Sequence, residues 1–160
     1  MSSLDFKPFL EPSVLCWLAT ISEDGTPNVS PKEVFAAEND SSILIAHIAS
    51  PKSVRNIKQN PNVCLSFLEI FSQRGCKING LATILEPSDS DFETRVGPLK
   101  KIAGERFPIR AVIAVEVLKI TAILAPRYQL YADTTEQAQV TRAVATYNRV
   151  LEQYGQKLKP

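Results

Sequence analysis

Apolar and polar positions alternate in runs that predict a mainly β domain. Residues 14–21 are a continuous apolar, β-branched run, as a buried strand requires. Residues 28–37 read as its antiparallel partner across Asp24-Gly25, a strong hairpin signal. After a polar turn at 38–42, residues 43–48 predict a third strand, 63–71 a fourth and 76–85 a fifth. The long β-branched run 110–124 fits one extended strand, straight or bent, or two short ones. Helical pattern is confined to short pieces: 4–10, stopped by Pro12; a segment opening at Ser50; 92–96; and 98–103, ending at Gly104. Residues 126–128 read as a loop. Thr134-Thr-Glu-Gln137 fits a capping box, and Val140, Val144, Tyr147, Leu151 and Tyr154 recur at helical spacing, giving a C-terminal helix over about 134–155. Antiparallel strands of uneven length with few helices predict a small β-barrel with helical cover. No linker divides residues 1–160, so one domain is expected, its barrel spanning about 12–125.

Two stretches carry candidate chemistry. Ser50-Pro-Lys-Ser53 opens a helix that Asn60-Pro61 closes. Ser50 suits the N-cap, Pro51 the first helical position, and Lys52 and Ser53 add a cation and a hydroxyl beside free backbone N–H groups, so this end is suited to an anion. Taken alone, it reads more readily as a capped surface helix. The second stretch is Pro27-Asn-Val-Ser-Pro-Lys32. Strand alternation puts Ser30, Lys32 and Val34 on one face; that face is either solvated or inner, and an ammonium on an inner face calls for a phosphate or carboxylate partner. Pro31, which cannot donate to a ladder, predicts an edge strand or a bulge. Gly80 and Ala82 share a strand face, where small side chains admit a close backbone or flat ring, or mark a barrel bend.

Composition narrows the picture. The chain has 18 basic and 17 acidic side chains, which argues against bulk binding to nucleic acid or an anionic membrane, so any anion site must be local. Cys16, Cys64 and Cys76 are odd in number and far apart, which argues against a disulfide framework. With one histidine, His47, and no Cys-x-x-Cys pair, no metal site is expected. Alternation places His47 with Ile43 and Ile45, a partly buried position that favours a structural role over a catalytic one. No secretory pattern opens the sequence, and the apolar run 111–126 is short and broken by Glu116 and Lys119, so a cytoplasmic location is expected.

The segment 17–32 resembles the opening hairpin of the FMN-binding split-barrel proteins, the superfamily of the pyridoxamine 5′-phosphate oxidases. Residues 50–63 resemble that superfamily's phosphate-side helix, and Ile78-Asn-Gly-Leu-Ala82 its later Gly-x-Ala strand. The matches come in the superfamily's order over about 14–120. The resemblance implies a six-stranded split barrel working as a homodimer with FMN at the subunit interface, and residues 111–124 are apolar enough to supply a dimer face. It places Ser30 and Lys32 beside the flavin, Ala46 and His47 under the ring edge, and Ser50, Lys52, Ser53 and Asn56 around the phosphate. It implies an oxidoreductase passing electrons from NAD(P)H to an acceptor, with a non-catalytic electron carrier, or a barrel using F420 or haem, as alternatives. The superfamily's oxidases bind their substrate with a C-terminal segment bearing tryptophan and arginine. Here an amphipathic helix takes that place and the sole tryptophan is Trp17, so vitamin B6 oxidation is not expected.

Overall fold

The computed structural model describes residues 5–157, with side chains through residue 155. In chain order the elements are α1 (Lys7–Leu10), β1 (Cys16–Ile21), β2 (Pro27–Lys32), β3 (Phe35–Ala37), β4 (Ser42–His47), α2 (Pro51–Gln59), β5 (Asn62–Glu69), β6 (Arg74–Leu85), α3 (Phe92–Ala103), β7 (Ala111–Leu124), α4 (Pro126–Leu130) and α5 (Glu136–Lys157). Leu4, the expected start of the first helix, lies outside the described residues.

The strands form one antiparallel sheet in the order β2-β1-β5-β6-β7-β4-β3. Its two edge strands, β2 and β3, are separated in sequence only by Glu33 and Val34. A sheet whose opposite edges are adjacent pieces of one chain must curl, and this connection makes it a barrel. The expected six strands become seven for the same reason. The single strand expected over 28–37 pairs with β1 through residue 32, bends, and pairs with β4 from residue 35. Pro31 sits on an edge strand, where its missing donor is tolerated. Asp24 sets the β1–β2 turn by accepting from the Ser22 hydroxyl (2.5 Å) and the Thr26 N–H (3.0 Å).

Alternation sorts the core into two layers. Leu18, Ile43, Ile45, Leu65, Phe67, Ile78 and Ile113 point into the barrel and are fully buried, with Phe6 of the N-terminal segment packed against them. Phe35 meets Phe67 edge-on at 5.2 Å, joining the short strand β3 to this interior. The opposite faces of β4 and β7, with Leu44, Ala46, Val112 and Ala114, bury Phe92, Val96 and Leu99 of α3. Glu38 accepts two bonds from the Arg95 guanidinium (2.6 and 3.0 Å), tying α3 to the β3–β4 turn.

Three expectations change. The two helical pieces at 92–96 and 98–103 are one helix running through Pro98. Pro98 and Thr94 are both exposed, so the carbonyl that loses its helical donor faces water, while the buried face fixes the helix. Residues 126–128, expected as a loop, begin α4, with Pro126 at its first position. The final helix is capped one residue later than the capping box suggests. The Thr135 hydroxyl accepts from the Ala138 N–H, while Thr134 donates to the Arg127 carbonyl. The first half of α5 packs through Gln139, Ala143 and an edge contact of Tyr147 with Phe71 at 5.6 Å, while Val144 and Leu151 are exposed.

Gly80 belongs to the barrel bend. The β6–β7 register shifts at Asn79/Gly80, with Leu118 the extra residue in β7, and a Cβ on Gly80 would lie 2.2 Å from the Glu116 carbonyl oxygen. β7 is one bent strand.

Candidate functional site

Strand parity delivers the central side chain. Cys16 pairs with Lys32, Leu18 with Ser30 and Thr20 with Asn28, so all six face the same side of the β1–β2 pair. That side is the barrel interior, and Lys32 is only 6% exposed. Its ammonium donates to the hydroxyl of Ser50, at the start of α2. Among the described residues no carboxylate lies within ion-pair distance of Lys32. Burial lowers its pKa below the usual lysine value, against a weaker opposing pull from Cys16. The Cys16 thiol beneath it is pushed up to about 12 by burial.

Ser50 does not cap α2 with its side chain, contrary to its expected role. Its hydroxyl accepts from Lys32 and lies 3.3 Å from His47 Nδ1, which also accepts from the Ser50 N–H at 3.4 Å. Diverting the hydroxyl leaves the first-turn N–H groups of α2 without a side-chain cap, at an end that attracts negative charge. His47 is 8% exposed. Burial, then the charges of Lys32 and Arg110, lowers its pKa, so the neutral ring is favoured and Nδ1 is an acceptor.

An open groove of about 570 Å³ runs past this end of the barrel. Ser30, Lys32, Glu33 and Ser50 form its polar side, while Val34, Ala46, Ile48, Ile102 and Phe107 contribute apolar surface. Of the residues singled out in the sequence, the structure therefore brings Ser30, Lys32, Ala46 and Ser50 together on the groove, with His47 directly behind Ser50. Lys52 is exposed and is not among the lining residues. Ser53 and Asn56, 1% and 2% exposed, turn inward instead. The Thr20 hydroxyl accepts from Asn56 Nδ2 (3.0 Å) and Asn28 Nδ2 (3.2 Å), and Asn28 reaches Ser53 Oγ at 3.4 Å. This buried polar cluster pins α2 to the β1–β2 hairpin and so fixes the separation of Ser50 from Lys32. Thr20, Asn28, Ile102 and Phe107 were not singled out in the sequence; a threonine ending an apolar run and an asparagine on the strand face of Lys32 were the available signals for the first two.

Arg74, the first residue of β6, is held by Glu136 at 2.8 Å and stacks on Tyr128 at 4.9 Å, so it anchors the C-terminal elements. Among the described residues no group of His, Cys, Asp and Glu side chains is arranged to hold a metal ion, and no helix is long and apolar enough to cross a membrane.

A curled antiparallel sheet closed through one bent strand, with a buried lysine facing a helix start across an open groove, defines a split-barrel domain. The sequence profile of the pyridoxamine 5′-phosphate oxidase family matches residues 5–142, and the chain belongs to that family. No curated protein matches the sequence significantly. Among solved structures, an FMN-binding protein from Syntrophomonas wolfei is 15% identical, with a TM-score of 0.64 over 76% of this chain and 84% of its own. HutZ, the haem storage protein from Vibrio cholerae, is 19% identical, with a TM-score of 0.57 over 76% and 95%. An F420 reductase is 24% identical, with a TM-score of 0.56 over 72% and 95%. At these identities the likeness shows the fold alone.

Proposed function

We propose that the groove binds FMN and that the protein is an FMN-dependent oxidoreductase, passing electrons from NAD(P)H to an acceptor. The observation that carries this reading is Lys32: a buried cation with a neutral hydroxyl as its partner, beside a helix start whose donors are uncapped. The charge requirement of that environment is met by a dianionic phosphate, which can take charge-assisted bonds from Lys32 together with bonds from Ser30, Ser50 and the first-turn N–H groups. The apolar surface along the rest of the groove suits a flat ring, and an FMN-binding protein shares the fold.

When bound, flavin supplies two-electron chemistry through its own ring. This chain's residues would hold and orient it: Lys32 and Ser50 at the phosphate end, with neutral His47 fixing Ser50 by accepting its backbone N–H, which leaves the hydroxyl proton for the phosphate. Purified protein should quench flavin fluorescence saturably on titration with FMN, and mass spectrometry of the ligand released on denaturation should return FMN. Absence of quenching, or release of F420 or haem, overturns the assignment. Flavin binding with no NAD(P)H turnover would make the protein an electron carrier.

The second part of the proposal is a homodimer. Within the run 111–124, Ala111–Val115 are buried between barrel and α3, while Leu118 and Leu124 stay exposed. A second uncovered apolar face lies on β1 and β2. Trp17, Ala19, Ile21, Pro27, Val29 and Pro31 share its outward side, none is charged, and Trp17 and Val29 are 46% and 58% exposed. A second copy covering this face would bury it. Light scattering should report a dimer at micromolar concentration, and Val29→Asp should shift it to monomer; a wild-type monomer sinks the dimer.

A further inference from the structure

We infer that residues 102–107, the end of α3 and the turn after it, form the aromatic-ring subsite of the groove, with Phe107 as its principal contact. The inference rests on the flavin reading above and extends it to residues outside the hairpin and α2.

Phe107 and Ile102 are 57% and 53% exposed, and both line the groove that holds Lys32. Single exposed apolar side chains are ordinary on a protein surface. Two facing one groove, on a segment fixed at both ends, form a surface. On one side Leu99 is fully buried in the layer beneath α3. On the other, Ile109 packs against that layer, and the Arg110 N–H donates to the His47 carbonyl at 2.9 Å. Between these anchors Gly104 takes φ 70, a left-handed conformation that β-carbon-bearing residues disfavour, and reverses the chain after the helix. Phe107 is thus held beside the groove by structure, not by its own burial.

The groove is consequently two-ended in chemistry. Lys32 and Ser50 take the anionic group, while Phe107 and Ile102 offer a face to an apolar or aromatic one, as an offset-stacked ring requires. A ligand with both, a phosphate ester bearing a planar ring, uses the whole groove; bare phosphate uses one end of it.

The test is titration of wild type, Phe107→Ala, Phe107→Tyr and Lys32→Met with FMN, riboflavin and inorganic phosphate, following flavin fluorescence and, for phosphate, calorimetry. Phe107→Ala should weaken FMN and riboflavin about tenfold and leave inorganic phosphate unchanged, and Phe107→Tyr should restore flavin affinity. Lys32→Met should weaken FMN and phosphate but spare riboflavin. Equal flavin affinity in wild type and Phe107→Ala overturns the ring subsite and leaves the FMN site standing. Failure of wild type to bind either flavin overturns the FMN reading, and the subsite with it.

Discussion

Lys32→Met should lose most FMN affinity while making the ligand-free protein more stable. Both halves follow from one fact, the burial of an ammonium whose partner is only a hydroxyl. Truncating the buried charged partner of a phosphate costs about 2–5 kcal/mol, which is at least about thirtyfold in Kd. With no anion bound, the same charge is a desolvation cost, and a methionine of similar shape relieves about 1 kcal/mol or more. The pH dependence has a definite sign. The folded-state pKa of Lys32 lies below 10.5, so between those two values the unfolded chain holds the extra proton. Wild-type stability therefore gains from Lys32 deprotonation as pH rises through that window. Cys16 and Cys76, raised to about 12 by burial, act in the opposite sense above pH 9, but they are common to both proteins. The stability advantage of Lys32→Met over wild type should thus be full below the folded pKa and shrink towards pH 10.5. Urea midpoints for the two proteins across that range check it; a less stable variant at neutral pH would mean that the Ser50 bond outweighs desolvation.

Gly80→Ala should be the most damaging single-methyl change in the barrel. The added Cβ would lie 2.2 Å from the Glu116 carbonyl oxygen and 2.9 Å from Val115 Cγ1, and backbone cannot rotate away as a side-chain tip can. Relief requires opening the β6–β7 pair at the register shift, the longest ladder in the sheet. A loss of about 3 kcal/mol or more is expected. Gly155→Ala, at a helical position in α5 with no neighbouring proline and open space around the new atom, is the control and should be neutral or slightly stabilising. Thermal or urea unfolding of the pair decides; equal midpoints would show that β7 shifts freely at Leu118.

What was legible in the sequence was what local rules control. The hairpin at Asp24-Gly25, the first-position proline of α2 and the shared face of Ser30 and Lys32 depend on turn chemistry and parity, and each is present in the fold. What was not legible depends on distant partners. Within 28–37 Pro31 signals an edge or a bulge but not a division into two strands, which follows from β1 being available to one half and β4 to the other. Pro98 is a local stop that the buried Phe92, Val96 and Leu99 overrule. Ser50 has a capping residue's identity, yet Lys32, eighteen positions earlier, claims its hydroxyl. Phe107 carries no periodic signal, since its place beside the groove is set by Gly104 and by the Arg110–His47 backbone bond.

The prolines of β2 bear on how this barrel can meet its neighbours. Pro27 and Pro31 are four residues apart, so their absent N–H groups fall on one side of the strand, and the unbroken ladder to β1 puts that side on the sheet's open edge. An incoming extended chain would find two of its acceptors unanswered there. Strand-by-strand growth into fibrils is blocked along that border.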